Sequence, residues 1–328
     1  MKKFKKKHFF MLCMPLVIAG SIFSVVLINN KENKGLKHEF VVDMSTRNYR
    51  KVYLLDENKY LIPLSIEVSD KEYLVDEIYT VISDLRDLHV EGFNTILPSN
   101  VKINKIELEN GILNIDFSKE FLTYDANLEE KIIESLTWSV MDFSEVEGLT
   151  ISVDGVKLDK MPINGLKLPQ VLNKEIGINK YHDMVDDYRG SDNVVVLYEK
   201  VVKDKSYYVP VTRKVIKENN DALTIMNALD TDIAIVSGLR QIKEVKKIEN
   251  NEYKCEEENV SVNLSTDYLI EDNLVDSNLY EILMVTFEYN NLDAKVNFYV
   301  DEESVEVSGY INNEEERVNN IIFNEIEI

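Results

Sequence analysis

Tyr60-Leu61-Ile62-Pro63-Leu64-Ser65 and Tyr207-Tyr208-Val209-Pro210-Val211-Thr212 follow one pattern, 147 residues apart. At the same offset, Asn114-Ile115-Asp116-Phe117-Ser118 is answered by Ser261-Val262-Asn263-Leu264-Ser265, and Phe121-Leu122 by Tyr268-Leu269. Glu134 and Leu136 meet Glu281 and Leu283, while Ile151, Val153 and Asp154 meet Phe298, Val300 and Asp301. One register, held over separated segments with apolar residues matching apolar ones, marks an internal duplication. The period is too long for a solenoid unit and suits a repeated domain.

The first copy is the easier to read. Lys51 to Leu55 and Tyr60 to Val68 are rich in β-branched and aromatic residues, as strands prefer, and the joint Asp56 to Lys59 suits a hairpin. Ser69 or Asp70 is expected to cap a helix whose Leu74, Ile78, Val81, Ile82 and Leu85 share one face. Asn110-Gly111 stands between the alternating runs Ile106–Glu109 and Ile112–Ile115. Both residues tolerate the positive φ that a type I′ turn demands, so a second hairpin is expected there. A second helix follows, with Leu128, Ile132, Leu136, Val140 and Phe143 on one face, and then a last strand through Leu149, Ile151 and Val153.

The order is ββαββαβ, an α+β unit whose helices pack on one sheet face. The second copy keeps this order, with a shorter first helix near Asp221 to Leu229 and Glu257-Glu258-Asn259 in place of the Asn-Gly turn. The chain therefore divides into a basic end with an apolar helix (1–30), a stem (31–50), a first domain (51–155), a linker (156–193), a second domain (194–307) and a C-terminal tail (308–328). Leu166, Leu168, Val171, Leu172 and Ile176 give the linker enough apolar surface to pack against the domains.

Residues 2–7 (KKFKKK) precede the uncharged stretch Phe9 to Ile28. A helix of that length rises about 30 Å, enough to cross a bilayer. Lysines before it keep the amino terminus in the cytoplasm. A cleaved signal peptide needs a shorter apolar run, and Ala19-Gly20-Ser21 lies in mid-span; a lipoprotein needs its cysteine at the far end of the run, whereas Cys13 is near the start. The expectation is an uncleaved, single-pass signal anchor through residues 9–28, with the domains outside the cytoplasmic membrane.

Charge and composition remove whole classes of function. There are 37 Lys+Arg against 59 Asp+Glu, a net −22. Residues 1–34 carry seven Lys and one Glu, which leaves 30 basic and 58 acidic residues after them, a net −28. Such a body repels phosphate backbones, so no nucleic-acid partner is expected. It also opposes self-association, so residues 35–328 are expected to be monomeric in isolation. With Cys13 in the apolar run, Cys255 has no partner for an intrachain disulfide and reads as a small apolar residue on a strand.

No catalytic, cofactor-binding or metal-binding residue is assigned. His8, His38, His89 and His182 miss the echoed positions and read as solvated. Asp183, Asp186 and Asp187 lack the spacing of a cation loop. Asp116 is answered by Asn263, so its charge is lost in the second copy, and it reads as a strand end that caps the following turn. Trp138 and the 17 Tyr could stack on glycan, but Trp138 falls beside Ile133, Leu136 and Val140 and reads as partly packed core. No Gly-rich phosphate loop is present.

The ordered set Leu97-Pro98, Ile106 to Phe117, Leu136-Thr137, Val153-Asp154-Gly155 and, in the second copy, Val209 to Arg213 resembles the GerMN-domain family of sporulation and germination proteins. The resemblance covers roughly residues 50–305. It implies two tandem small α/β domains similar to the ring-building motifs of secretion-system and sporulation-channel proteins. It also implies a place outside the cytoplasmic membrane, in spore formers between mother cell and forespore, supporting a channel complex and spore envelope maturation. Members are often lipoproteins, which this chain is not expected to be, and Ile66 stands where the second copy has the family's basic residue, Arg213. The expected function is that of a non-enzymatic, membrane-anchored scaffold that acts through protein partners. The alternative is an extracytoplasmic module for cell-wall glycan or a small ligand, with peptidoglycan contact. A cell-wall hydrolase or its regulator is a weaker third reading.

Overall fold

The computed structural model describes residues 41–42, 48–69, 71–181, 189–230, 238–246, 248, 253–271, 273–308 and 321–326. The first repeat runs β1 (Asn48–Asp56), β2 (Leu61–Val68), α1 (Leu74–Asp87), β3 (Ile103–Glu109), β4 (Ile112–Phe117), α2 (Glu129–Val140) and β5 (Gly148–Val153). The second runs β6 (Ser191–Val202), β7 (Lys205–Ile216), α3 (Asp221–Asp230), β8 (Tyr253–Glu256), β9 (Asn259–Leu264), α4 (Ser277–Tyr289) and β10 (Lys295–Val300). The ββαββαβ order appears twice. Both ends of β4 and β9, and of β5 and β10, lie 147 residues apart.

Each repeat has two hydrogen-bonded sheets rather than the single sheet expected. One is the opening hairpin, in which β1 pairs antiparallel with β2 and β6 with β7. The other starts from an antiparallel pair, β3–β4 or β8–β9, to which β5 or β10 adds in parallel. Ile112 faces Gly148 and Asn259 faces Lys295, so the parallel register is conserved too. Asn110 and Gly111 take φ of 51° and 77°, as the hairpin reading requires. The corresponding turn in the second repeat forms with Glu257 at φ 54°. Gly148 must be a glycine for another reason: an added Cβ would lie 2.3 Å from Val171 Cγ1.

The expected apolar face of α1 is buried at Ile78, Val81, Ile82 and Leu85. The helix begins after Tyr73, with no side-chain cap, and not after Ser69; Asp70 lies outside the described residues. On the partly exposed side of α1, burial and then the neighbouring Asp87 push the Asp84 carboxyl up to about 6. An acid whose pKa is raised on folding loses its stabilising protonation as pH rises from about 4 towards that value. Asp84→Asn is therefore expected to raise the thermal midpoint above pH 6 and to leave it unchanged at pH 4, which a pH series of melting curves checks.

Helix α2 is buried almost all round, from Ile132 through Val140, and not on one face alone. The reason is its position between β1 and the second repeat. Ser135 Oγ donates to the Tyr53 carbonyl (2.7 Å), and Tyr53 N–H donates to Ser139 Oγ (3.2 Å), so small polar residues dock the helix on the strand backbone. Trp138 stacks on Tyr289 of α4, with ring centroids 5.5 Å apart. Leu36–Ile328 accordingly forms one packed body, and the two repeats do not separate.

The stem and the tail are partly built into that body. Val41–Val42 pairs antiparallel with Ile321–Ile322. Phe323 and Asn324 are buried. The linker packs in part as expected: Leu172 is buried and exchanges two backbone hydrogen bonds with Leu149, and Leu166, Leu168 and Ile176 are partly buried, but Val171 is exposed, and Met161, not among the expected residues, is fully buried. Residues 9–28 lie outside the described residues, among which no helix is long and apolar enough to cross a membrane.

Candidate interaction surfaces and the relatives they match

Among the described residues, those weighed for chemistry do not converge. His89 is exposed, and His8, His38, His182, Asp183, Asp186 and Asp187 lie outside the described residues. Among the described residues no group of three His, Cys, Asp or Glu side chains could hold a metal ion. Asp116 caps a turn, but not the one that follows it in sequence: its Oδ1 accepts from Gly155 N–H (2.8 Å), in the loop after β5. Cys255 sits on β8, half-buried, with its thiol pushed up to about 11 by burial. A thiol so rarely ionised at neutral pH is a poor nucleophile.

Trp138 is only 1% exposed, and its Nε1–H donates to the Gly177 carbonyl (2.9 Å). It has no face left for glycan. Of the described tyrosines only Tyr73 and Tyr79 are exposed, so no aromatic platform gathers among the described residues. A recess of about 300 Å³ opens beside Met141, Phe143, Val146, Glu147 and Lys174. The Lys174 amine sits 5.3 Å above the Trp138 ring, its pKa lowered by burial and then by Lys51.

The polar side chains that do converge lie where the repeats meet. Asn179, just after the first repeat, accepts from Leu61 N–H on β2 (2.9 Å) and donates to the carbonyls of Leu61 (2.7 Å) and Pro210 (2.9 Å). Asn324, after the second repeat, accepts from Tyr208 N–H on β7 (2.8 Å) and donates to the carbonyls of Tyr208 (2.7 Å) and Pro63 (2.8 Å). Leu61 and Tyr208, like Pro63 and Pro210, are echoed positions. Each asparagine thus joins its own repeat to the other, and the two are related by a local two-fold. Both backbones are left-handed, with φ of 46° and 55°, a conformation that asparagine tolerates better than most residues.

Other groups tie the junction less symmetrically. Tyr53 and Tyr289 hydroxyls meet at 2.9 Å, and Lys200 Nζ reaches Asp56 Oδ2 at 3.1 Å with both side chains buried. Glu134 is buried behind Asn179, accepts from its N–H (3.2 Å) and from Lys131 Nζ (2.9 Å), and has its carboxyl pushed up by burial against the pull of Lys131. Its echo Glu281 is buried as well.

Glu129, at the start of α2, holds the linker. Its carboxylate accepts from the backbone N–H of Ile163, Asn164 and Leu166 and from the Tyr124 hydroxyl. Burial disfavours its charge, but these donors outweigh burial and keep the carboxyl below the usual range. The stabilisation of a depressed acid is present above its unfolded pKa and fades as pH falls through the folded one. Glu129→Gln exchanges an acceptor for a donor facing N–H groups. Limited proteolysis at neutral pH is expected to cut residues 160–167 several-fold faster in this variant.

The Germane family, described as "Sporulation and spore germination", matches residues 51–159. The chain is 28% identical over 194 residues to spore germination protein GerM of Bacillus subtilis (strain 168), across 58% of this chain and 53% of that protein. It superposes on the solved tandem GerMN domains of the sporulation protein GerM from Bacillus subtilis with a TM-score of 0.64. That match has 25% identity and covers 80% of this chain and 92% of that one. The chain is similar to tandem GerMN-domain proteins. The family match spans the first repeat, and the superposition extends the likeness to both repeats. The chain spans about half the length of the curated relative it matches.

Proposed function

We propose that this protein is a non-enzymatic, membrane-anchored scaffold that works outside the cytoplasmic membrane in sporulation or germination, through contacts with protein partners. The observation that carries the reading is the similarity of both repeats, in tandem, to GerM. Two further features support it. The polar groups that converge do so to lock two domains together, which prepares a rigid surface rather than a reaction centre. The stretch 9–28 after KKFKKK has the length and flanks of an anchor.

Complementation tests the reading. In a spore-forming host lacking its own GerM-type protein, the full chain is expected to restore spore formation and to sediment with membranes. A form lacking residues 1–30 is expected to fold and remain soluble but to fail in complementation. Restoration by that soluble form would remove the anchor from the mechanism, and no restoration by the full chain would remove the sporulation role.

A further inference from the structure

The recess beside Phe143 is built from both repeats and the linker between them. Met141, Phe143 and Glu147 come from the loop after α2, Lys174 and Glu175 from the linker, and Asn291 from the loop after α4. Glu147 is placed by the Asn110-Gly111 turn. Its N–H donates to the Gly111 carbonyl (2.8 Å), and a Cβ added to Gly111 would lie 2.9 Å from its carboxyl carbon.

The linker presents Lys174 on a fixed turn. Asn173 Oδ1 accepts from Glu175 N–H (3.1 Å) at the start of a short 3₁₀ turn, Lys174–Ile176. The Gly177 carbonyl that follows is held by Trp138 Nε1–H (2.9 Å), and the Trp138 ring under the Lys174 amine is itself stacked on Tyr289. Among the described residues the amine has no hydrogen-bond or ion-pair partner. Asp142 and Glu288 approach Lys51 Nζ instead, at 3.1 and 3.8 Å. Burial and then Lys51 disfavour the charge on Lys174, against a weaker pull from those two carboxylates. An ammonium held in this way gains most from an anion that arrives with a ligand.

A simple anion does not complete the site. Glu147 and Glu175 line the same recess, and neither carboxylate has a partner among the described residues. Helices α2 and α4 end at Val140 and Tyr289, within two residues of Met141 and Asn291 on its wall. The partial negative charge of a helix C-terminus favours a cation there. The recess therefore offers an unpaired positive group, unpaired negative groups and an apolar surface from Met141 and Phe143. Its volume of about 300 Å³ lies at the small end of ligand sites, which suits a molecule of amino-acid or dipeptide size.

We propose that this recess binds a small zwitterion, a free amino acid or dipeptide with an apolar side chain, whose carboxylate pairs with Lys174 and whose ammonium lies towards Glu147 and Glu175. The apolar side chain covers Met141 and Phe143. Because the first repeat, the linker and the second repeat all line the recess, a bound ligand adds to the stability of their junction. The proposal goes beyond the scaffold role and does not rest on it.

The test uses the full-length protein, with L-leucine and alanyl-leucine as probes. Trp138 is the only tryptophan in the chain, so its emission reports on the Lys174 amine directly. At least one probe is expected to change that emission saturably and to raise the thermal midpoint; the tighter of the two gives the ligand length. N-acetylation or C-terminal amidation of that probe is expected to weaken binding roughly tenfold or more, since a charged contact is lost. Lys174→Met keeps the apolar stem on Trp138, and Lys174→Gln keeps a polar head. Both are expected to retain the native circular dichroism and to lose the midpoint shift. Blocked probes that bind as well as the free ones, an undiminished shift in both variants, or no saturable response to either probe at millimolar concentration would each overturn the proposal. None of these outcomes bears on the complementation result.

Discussion

Asn179→Ala and Asn324→Ala are each expected to destabilise the protein by about 3–5 kcal/mol, among the largest effects of any single substitution. The size follows from what each side chain leaves behind. Without Asn179, the N–H and carbonyl of Leu61 and the carbonyl of Pro210 lose a partner in a buried place. An unsatisfied buried backbone group costs about 1–3 kcal/mol, and partial entry of water keeps the total below the sum. The mirrored bonds of Asn324 predict a matching loss at the other end of the two-fold. Glycine variants separate two causes. They accept a φ near 50° without strain but lack the amide, so Asn179→Gly is expected to be nearly as harmful as alanine. If glycine restored wild-type stability, backbone strain and not hydrogen bonding would be the reason for asparagine. Because each clamp grips both repeats, urea unfolding of the variants is expected to remain a single transition with a lowered midpoint. Two resolved transitions would mean that the repeats fold independently.

Much of this architecture is legible in the sequence because duplication repeats its cues. The hexapeptides around Pro63 and Pro210, the Asn110-Gly111 turn and the alternation in Gly148–Val153 are local signals, each with a local cause, and their order supplies the topology. What stays hidden arises between elements. Periodicity assigns α2 one apolar face, yet Ser135 and Ser139 are buried too, docked on the Tyr53 backbone of β1, and Trp138 is covered by Tyr289 of the second repeat, which a lone domain would lack. Residues 321–326 read as a tail because a short apolar run after an acidic stretch carries no label for a groove formed some 260 residues earlier. The relation between Asn179 and Asn324 escapes a search at one fixed offset, because their segments are displaced by two residues from the register of the domains. A search for the pattern Ile-x-apolar-Asn-charged-apolar would have found it.

Lys200→Met is expected to cost about 3–5 kcal/mol, because it strands a carboxylate in the interior. Asp56 is fully buried. Its Oδ1 accepts from the N–H groups of Asn58 (2.9 Å) and Tyr60 (2.7 Å), which shapes the turn between β1 and β2. Its Oδ2 faces Lys200 Nζ at 3.1 Å without the alignment of a hydrogen bond, so the link across the junction is mainly ionic. The amine also donates to Asn58 Oδ1 (2.9 Å) and lies 5.1 Å above the Tyr60 ring. Asp56→Asn keeps an acceptor for the turn and leaves a lysine with other contacts, so its cost is expected to be smaller, about 1–3 kcal/mol. The double variant is expected to be more stable than the sum of the single losses allows, by more than about 1 kcal/mol, since neither charge is then buried alone. Additive losses in that cycle would show that the two charges do not interact. The pair also has a direction that the asparagine clamps lack. Lys200 stands where the first repeat has Tyr53, and Lys203 stands where it has Asp56, so the local two-fold has no second copy of this ion pair. A junction made only of mirrored bonds would accept two first repeats as readily as one of each. A buried pair with a single allowed orientation favours the first repeat against the second, which is the kind of specificity that buried charges supply at a cost in stability.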